Sequence, residues 1–168
     1  VYATGKSIFN PVKRHIWKNL NTIFLSPDLH REVGHTRDAR KESIFIPVGP
    51  LPIYLPELEE GCIYRNNSRI YLSDKKCFDP LVPLALSYGI PVVLPASEFA
   101  NYYVENGKNG FIYRDKEDIK GLIDMITDNY DLFSKEATES ASRFSWEVIA
   151  ENHISFYKKI GEEKEGTP

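Results

Sequence analysis

The stretch YLSDKKCFDPLVPLALSYGIPVVLPASEFANYYVENGKNGFIY, residues 71–113, decides how this chain folds. Short runs rich in Ile, Val, Phe and Tyr at residues 69–72, 91–94 and 110–113 alternate there with helix-like segments. Parallel strands need helix-sized crossovers, so this rhythm reads as β-α-β-α-β. Two similar runs lie upstream at residues 22–26 and 43–48. Five strands with intervening helices predict an α/β fold in which ligands sit outside the carboxyl ends of the strands. Function is therefore expected in the loops after Leu25, Val48, Leu72, Leu94 and Tyr113.

Downstream, Ile119, Leu122, Ile123 and Ile126 fall at helical spacing behind Asp115, which is expected to cap them. Ser145 is expected to cap a last helix carrying Trp146, Ile149, Ala150, His153, Tyr157 and Ile160 on one stripe. If that helix is a buried strap, Trp146→Ala should cost about 3–5 kcal/mol. The closing GEEKEGTP, residues 161–168, has nothing to bury and reads as a flexible tail. Residues 12–20 have a helical look with Trp17 and Leu20, whereas residues 28–40 are charge-rich without apolar periodicity. The stretch IPVGPLPIYLP, residues 46–56, carries four prolines and reads as loop or extended chain, a plausible hinge or linker. The organisation expected is one domain over residues 1–160, with residues 1–21 as an N-terminal extension.

A chain of 168 residues, 42% hydrophobic and 27% charged, with 10 Gly and 11 Pro, has the composition of a globular domain with a real core. Lys and Arg number 21 against 24 Asp and Glu, and the net charge of −3 gives no general reason to expect nucleic acid. No apolar run approaches the roughly 20 residues that span a bilayer. Cys62 and Cys77 match no metal-binding or redox spacing and read as reduced thiols of a cytoplasmic chain, free or peripheral to a membrane.

Several tempting groups weigh little. ATGKS at residues 3–7 has the end of a phosphate-binding loop without the glycine and strand that should precede it. His30 and His35 are spaced i, i+5, not the i, i+4 that puts two ligands on one helical face. His15 stands alone in the same third, and His153 reads as a packed helix residue. No metal or other cofactor is expected.

The 71–113 block resembles the C-terminal, donor-binding domain of retaining GT-B glycosyltransferases of family four, the glycosyl transferases group 1. Ser73, Phe78, Gly89, Pro91, Val92, Val93, Glu105, Gly107, Asn109 and Gly110 stand without a gap at places that match its pattern. The resemblance resumes in RFSWEVIAENHISFY, residues 143–157, similar to the family's closing helix. It implies a Rossmann-like parallel sheet with flanking helices, one half of a GT-B enzyme. It also implies binding of a UDP- or GDP-linked sugar for hexosyl transfer, with an acceptor-binding domain or partner subunit completing the cleft. The donor-binding residues it points to are Ser73, Lys75, Lys76, Phe78, Asp79, Pro80 and Leu81, with Glu98 as a stand-in acid from the next loop. The backbone N–H groups and helix N-terminus of that first loop would attract a diphosphate, and Lys75 and Lys76 would add charge.

The departures are as informative. The family's two glutamates, which hold the donor sugar and ribose, fall on Lys76 and Leu84 in ungapped register. Its Gly-Gly falls on Glu98 and Phe99, and a further helix glutamate falls on Tyr102. The alternative to an active transferase domain is accordingly a degenerate, non-catalytic interaction module of the same fold. The two differ in whether Lys76, Asp79, Glu98 and Tyr102 line a pocket or are displaced by Phe99 and Tyr103.

Overall fold

A computed structural model of the chain describes residues 2–3, 22–24, 43–47, 49–51 and 54–165. Residues 12–20, the charge-rich stretch 28–40, His15, His30, His35 and most of ATGKS lie outside them. The chain divides into two compact units, one of residues 1–48 with 146–168 and the other of residues 49–145.

In the first unit, β1 (Tyr2–Ala3), β2 (Thr22–Phe24) and β3 (Ser43–Phe45) form a parallel sheet in that order. Ile23 lies opposite both Tyr2 and Ile44. A long helix, Trp146–Glu165, belongs to the same unit and continues through Gly161 into the stretch read as a tail. Its buried stripe is Ile149 and Phe156, with Ile160 partly covered, and these pack with Ile46. That corrects the expected strap face. Trp146 and Tyr157 are 47% and 54% exposed, because Phe156 rather than Tyr157 falls in phase with Ile149.

The second unit holds the decisive stretch. Its sheet runs β4 (Cys62–Arg65), β5 (Ser68–Leu72), β6 (Val92–Pro95), β7 (Gly110–Tyr113). The last three strands are parallel, as their spacing predicts. The expectation of strands only in parallel is corrected at β4, which pairs antiparallel with β5. Only Asn66 and Asn67 separate the two, both at positive φ (47° and 64°), the conformation a two-residue hairpin turn requires. The expected strands also lie in two sheets, one in each unit.

Side chains alternate across this sheet with period two. Tyr71, Val92 and Leu94 enter one core with Leu81–Leu86 of the helix Leu81–Ser87, Phe99 and Tyr103 of the helix Glu98–Tyr103, and Phe144. Ile70, Val93, Phe111 and Tyr113 enter the other with Ile123 and Ile126 of the helix Ile119–Asp128. These four and their neighbours are labelled in chain order: α1 (Leu55–Gly61), α2 (Leu81–Ser87), α3 (Glu98–Tyr103), α4 (Ile119–Asp128), α5 (Tyr130–Ala141) and α6 (Trp146–Glu165). The sheet is thus covered on both faces, an α/β layer structure.

Three local features complete it. The proline-rich stretch is not all loop: Pro56 sits in the first turn of α1, where a missing N–H costs nothing. Asp115 precedes a 3-10 turn, Lys116–Asp118, and makes no side-chain cap; α4 begins only at Ile119. Helix α5, which the apolar pattern does not announce, buries only Phe133 and Ala137, leaving Leu132 exposed. It packs on α2 at Gly89, where φ is +65° and an added Cβ would lie 2.9 Å from both Ser134 Oγ and Thr138 Oγ1.

Candidate functional site

The loop after β5 is organised around Asp79. Its carboxylate is buried and accepts four hydrogen bonds: Tyr71 OH (2.9 Å) and Ser73 Oγ (2.6 Å) donate to Oδ2, Lys75 Nζ (3.3 Å) and Leu81 N–H (3.2 Å) to Oδ1. Ser73 Oγ itself accepts from Lys75 N–H at 3.2 Å. A carboxylate can lose its water only when its lone pairs are filled in this way. Burial first, then the charge of Asp79, pushes the Tyr71 phenol far above its ordinary range. The amide at the start of α2 is therefore occupied by the protein's own anion.

Beyond this hub, the carboxyl ends of the three parallel strands open on a cleft of about 400 Å³. Asp74 and Lys76 line it from the loop after β5, Pro95 and Ala96 from the end of β6, and Tyr113, Arg114 and Lys116 from β7 and the loop after it. Tyr113 is buried and its hydroxyl donates to the Ser73 carbonyl at 3.3 Å, tying the β7 end to the first loop. Burial, and then the charge of Asp74, raises the Tyr113 phenol.

The charge of the cleft is one-sided: three cations face one carboxylate. Elsewhere among the described residues, Arg65, Arg69, Lys75, Lys108, Lys135 and Arg143 are each paired with an acid, while Lys120 and Lys158 stand in none of these pairs and do not line the cleft. Lys76, Arg114 and Lys116 take part in none of these pairs. Unpaired cations gathered where an α/β sheet presents its strand ends make a site suited to an anion.

Of the residues expected to bind a donor, Lys76 alone lines this cleft. Ser73, Lys75 and Asp79 are bonded to one another. Leu81 is buried in the core, while Phe78 and Pro80 are half-buried beside the hub. Glu98 opens α3 and is half-buried. Phe99 and Tyr103 are core residues, and Leu84 is fully buried. Arg114 and Lys116 escaped the residue-by-residue reading, although the loop after Tyr113 was already marked by the strand-end rule. The signal was the RDK run immediately beyond a strand.

The NGKNG turn, by contrast, is scaffold. Asn109 is fully buried; its Oδ1 accepts from Glu105 N–H (2.8 Å) and its Nδ2 donates to Tyr103 O (3.0 Å) and Ser140 Oγ (2.9 Å). Asn106 Oδ1 accepts from Ile112 N–H at 2.8 Å. A second hollow of about 290 Å³ lies here, lined by Glu105, Glu136 and Glu139 against Lys108 and Arg143. Both of its cations are paired within it: Glu105 lies 3.1 Å from Lys108 and 3.2 Å from Arg143, and these hold its carboxyl below the ordinary range. Among the described residues, no group of three or more His, Cys, Asp or Glu is placed to hold a metal ion, and no helix is long and apolar enough to cross a membrane.

Comparison with known proteins adds the following. No protein-family model matches the chain. It is similar to spore coat protein SA of Bacillus subtilis, with 28% identity over 102 residues, 55% of this chain. The matched region spans 27% of that protein's length, so the relative is a far longer chain. Two solved structures superpose broadly on it: TarM, with TM-score 0.48, 11% identity, 94% of this chain and 34% of that one; and Anabaena HepE in complex with UDP-glucose, with TM-score 0.43, 14% identity, 98% and 47%. The α/β assignment rests on the strand order and register above, not on these superpositions.

Proposed function

We propose that residues 49–145 form a nucleotide-sugar-binding domain of glycosyltransferase type, with the donor's diphosphate held in the strand-end cleft by Lys76, Arg114 and Lys116. The observation that carries this reading is the gathering of three cations without acid partners around one carboxylate, at the end of the sheet where α/β folds take ligands. The resemblance of residues 71–113 and 143–157 to retaining GT-B enzymes of the glycosyl transferases group 1 supports the same choice of ligand. The crystallised complex of HepE with UDP-glucose makes UDP-glucose the first donor to try.

In this reading a hexose leaves a UDP- or GDP-linked donor, with retention of configuration, for an acceptor presented by a second domain or subunit. The cations offset the charge that grows on the departing nucleoside diphosphate. The partner's wall is needed to exclude water from the transfer. The chain works in the cytoplasm, free or at a membrane surface, without a metal.

One observation favours the rival reading of a non-catalytic module. Leu84, at the register of a family glutamate, is wholly built into the core, and the Asp79 carboxylate is spent on its own loop. A thermal shift of the full chain against UDP-, GDP- and ADP-sugars separates the two. A ligand at about 100 times its Kd adds roughly 2.7 kcal/mol, a rise of several degrees. A rise that Lys76→Ala abolishes supports the donor site; no rise with any of the three overturns it in favour of the module.

A further inference from the structure

Resting on the cleft just described, we infer that it reads the phosphates of its ligand and not the ribose or the base, so inorganic pyrophosphate, which carries more charge, competes for it at least as well as a nucleotide sugar. A nucleotide can be held through its phosphates, its base or its ribose. Phosphate contacts are plentiful: Lys76, Arg114 and Lys116 are exposed and take part in no ion pair with an acid.

Base contacts are not. Nucleobases are gripped by stacking on an open aromatic face. Among the described residues, Tyr113 is the one aromatic lining the cleft, and it is buried with its hydroxyl committed to Ser73 O; Pro95 and Ala96 offer little area. Ribose hydroxyls are usually taken by a carboxylate, as at the strand ends of dinucleotide-binding sheets. Among the described residues, Asp74 is the one carboxylate lining this cleft, since Asp79 is buried with its four donors. Asp74 lies two residues from Lys76 in the same loop, so its charge opposes the phosphate-binding field.

Binding through exposed cations alone is strongly screened, because the Debye length is about 10 Å at 0.1 M salt. Affinity should accordingly track phosphate charge and fall steeply with ionic strength.

The test is equilibrium competition on the full chain, without divalent cations, using UDP-glucose, pyrophosphate and uridine. Supporting results are a pyrophosphate Kd equal to or lower than that for UDP-glucose, or at most about threefold above it, no binding of uridine, and tighter binding of both anions in Asp74→Asn. Arg114→Ala should weaken both anions by a similar factor, roughly fivefold for one exposed charge contact. UDP-glucose binding about tenfold or more tighter than pyrophosphate would overturn the inference while leaving the donor site intact. So would an Asp74→Asn variant that loses UDP-glucose and keeps pyrophosphate, since Asp74 would then be the ribose ligand. Pyrophosphate binding without UDP-glucose binding would keep the phosphate-reading cleft and overturn the nucleotide-sugar reading; binding of neither overturns both.

Discussion

Lys75 Nζ lies 3.3 Å from the buried Oδ1 of Asp79, whereas the next residue, Lys76, lines the open cleft. Two adjacent lysines thus have different surroundings, one closing a loop and the other facing the open cleft. Asp79→Ala strands the Tyr71 and Ser73 hydroxyls and the Leu81 N–H, and should cost about 3–5 kcal/mol. Lys75→Ala removes a half-exposed partner and should cost no more than about 1 kcal/mol. Denaturant unfolding of the two variants checks the order; equal losses would contradict the hub.

The Tyr71 phenol is held neutral by burial and by the Asp79 charge. Its folded pKa is raised, so the stability it contributes is complete below the ordinary phenol value of about 10 and lost as pH rises beyond it, where the unfolded chain releases the proton and the folded one does not. Melting temperature should fall more steeply above that pH in the natural chain than in Tyr71→Phe. Identical alkaline slopes would count against the buried contact.

Within the RFSWE motif, Phe144 is 1% exposed and sits 4.5 Å, centroid to centroid, from Tyr103, while Trp146 is 47% exposed. Phe144→Ala should cost about 3–5 kcal/mol and Trp146→Ala distinctly less. This reverses the weight that the stripe reading gave to Trp146. Paired unfolding curves decide it.

Gly110 stands where an added Cβ would come within 2.0 Å of the Val92 carbonyl oxygen, backbone that cannot move aside without breaking the β6–β7 register. Gly110→Ala should lose at least about 3 kcal/mol or fail to fold. Gly121, inside α4 with nothing within 4 Å of an added Cβ, should gain roughly 0.5–1 kcal/mol on the same change. Thermal melts of both variants test the contrast.

The parallel β5–β6–β7 core was legible because each strand carries a short apolar run close to turn residues, and Gly110–Tyr113 forms where the pattern places it. Strand β4 was hidden: Cys62–Arg65 is only four residues long and ends in an exposed tyrosine and arginine, and the Asn66–Asn67 turn that announces it lacks the usual glycine. Helix α5 was hidden because a surface helix can dock on as few as two side chains, here Phe133 and Ala137. For the candidate site, sequence led to Lys76 and to the strand ends that line the cleft but could not separate Lys75 from Lys76. That distinction depends on which way the loop folds around Asp79. Arg114 and Lys116 join Lys76 only through the β5–β6–β7 order, which brings loops about 40 positions apart to one edge.

The most direct test of the strand-end cleft is a titration of the ¹⁵N-labelled chain with UDP-glucose, followed through backbone amide shifts. The account predicts saturable shifts concentrated at residues 74–76, 95–97 and 113–116, with residues 105–109 and 139–143 unmoved. Shifts centred on the Glu105–Arg143 hollow, or none at donor concentrations that saturate nucleotide-sugar sites, would contradict it.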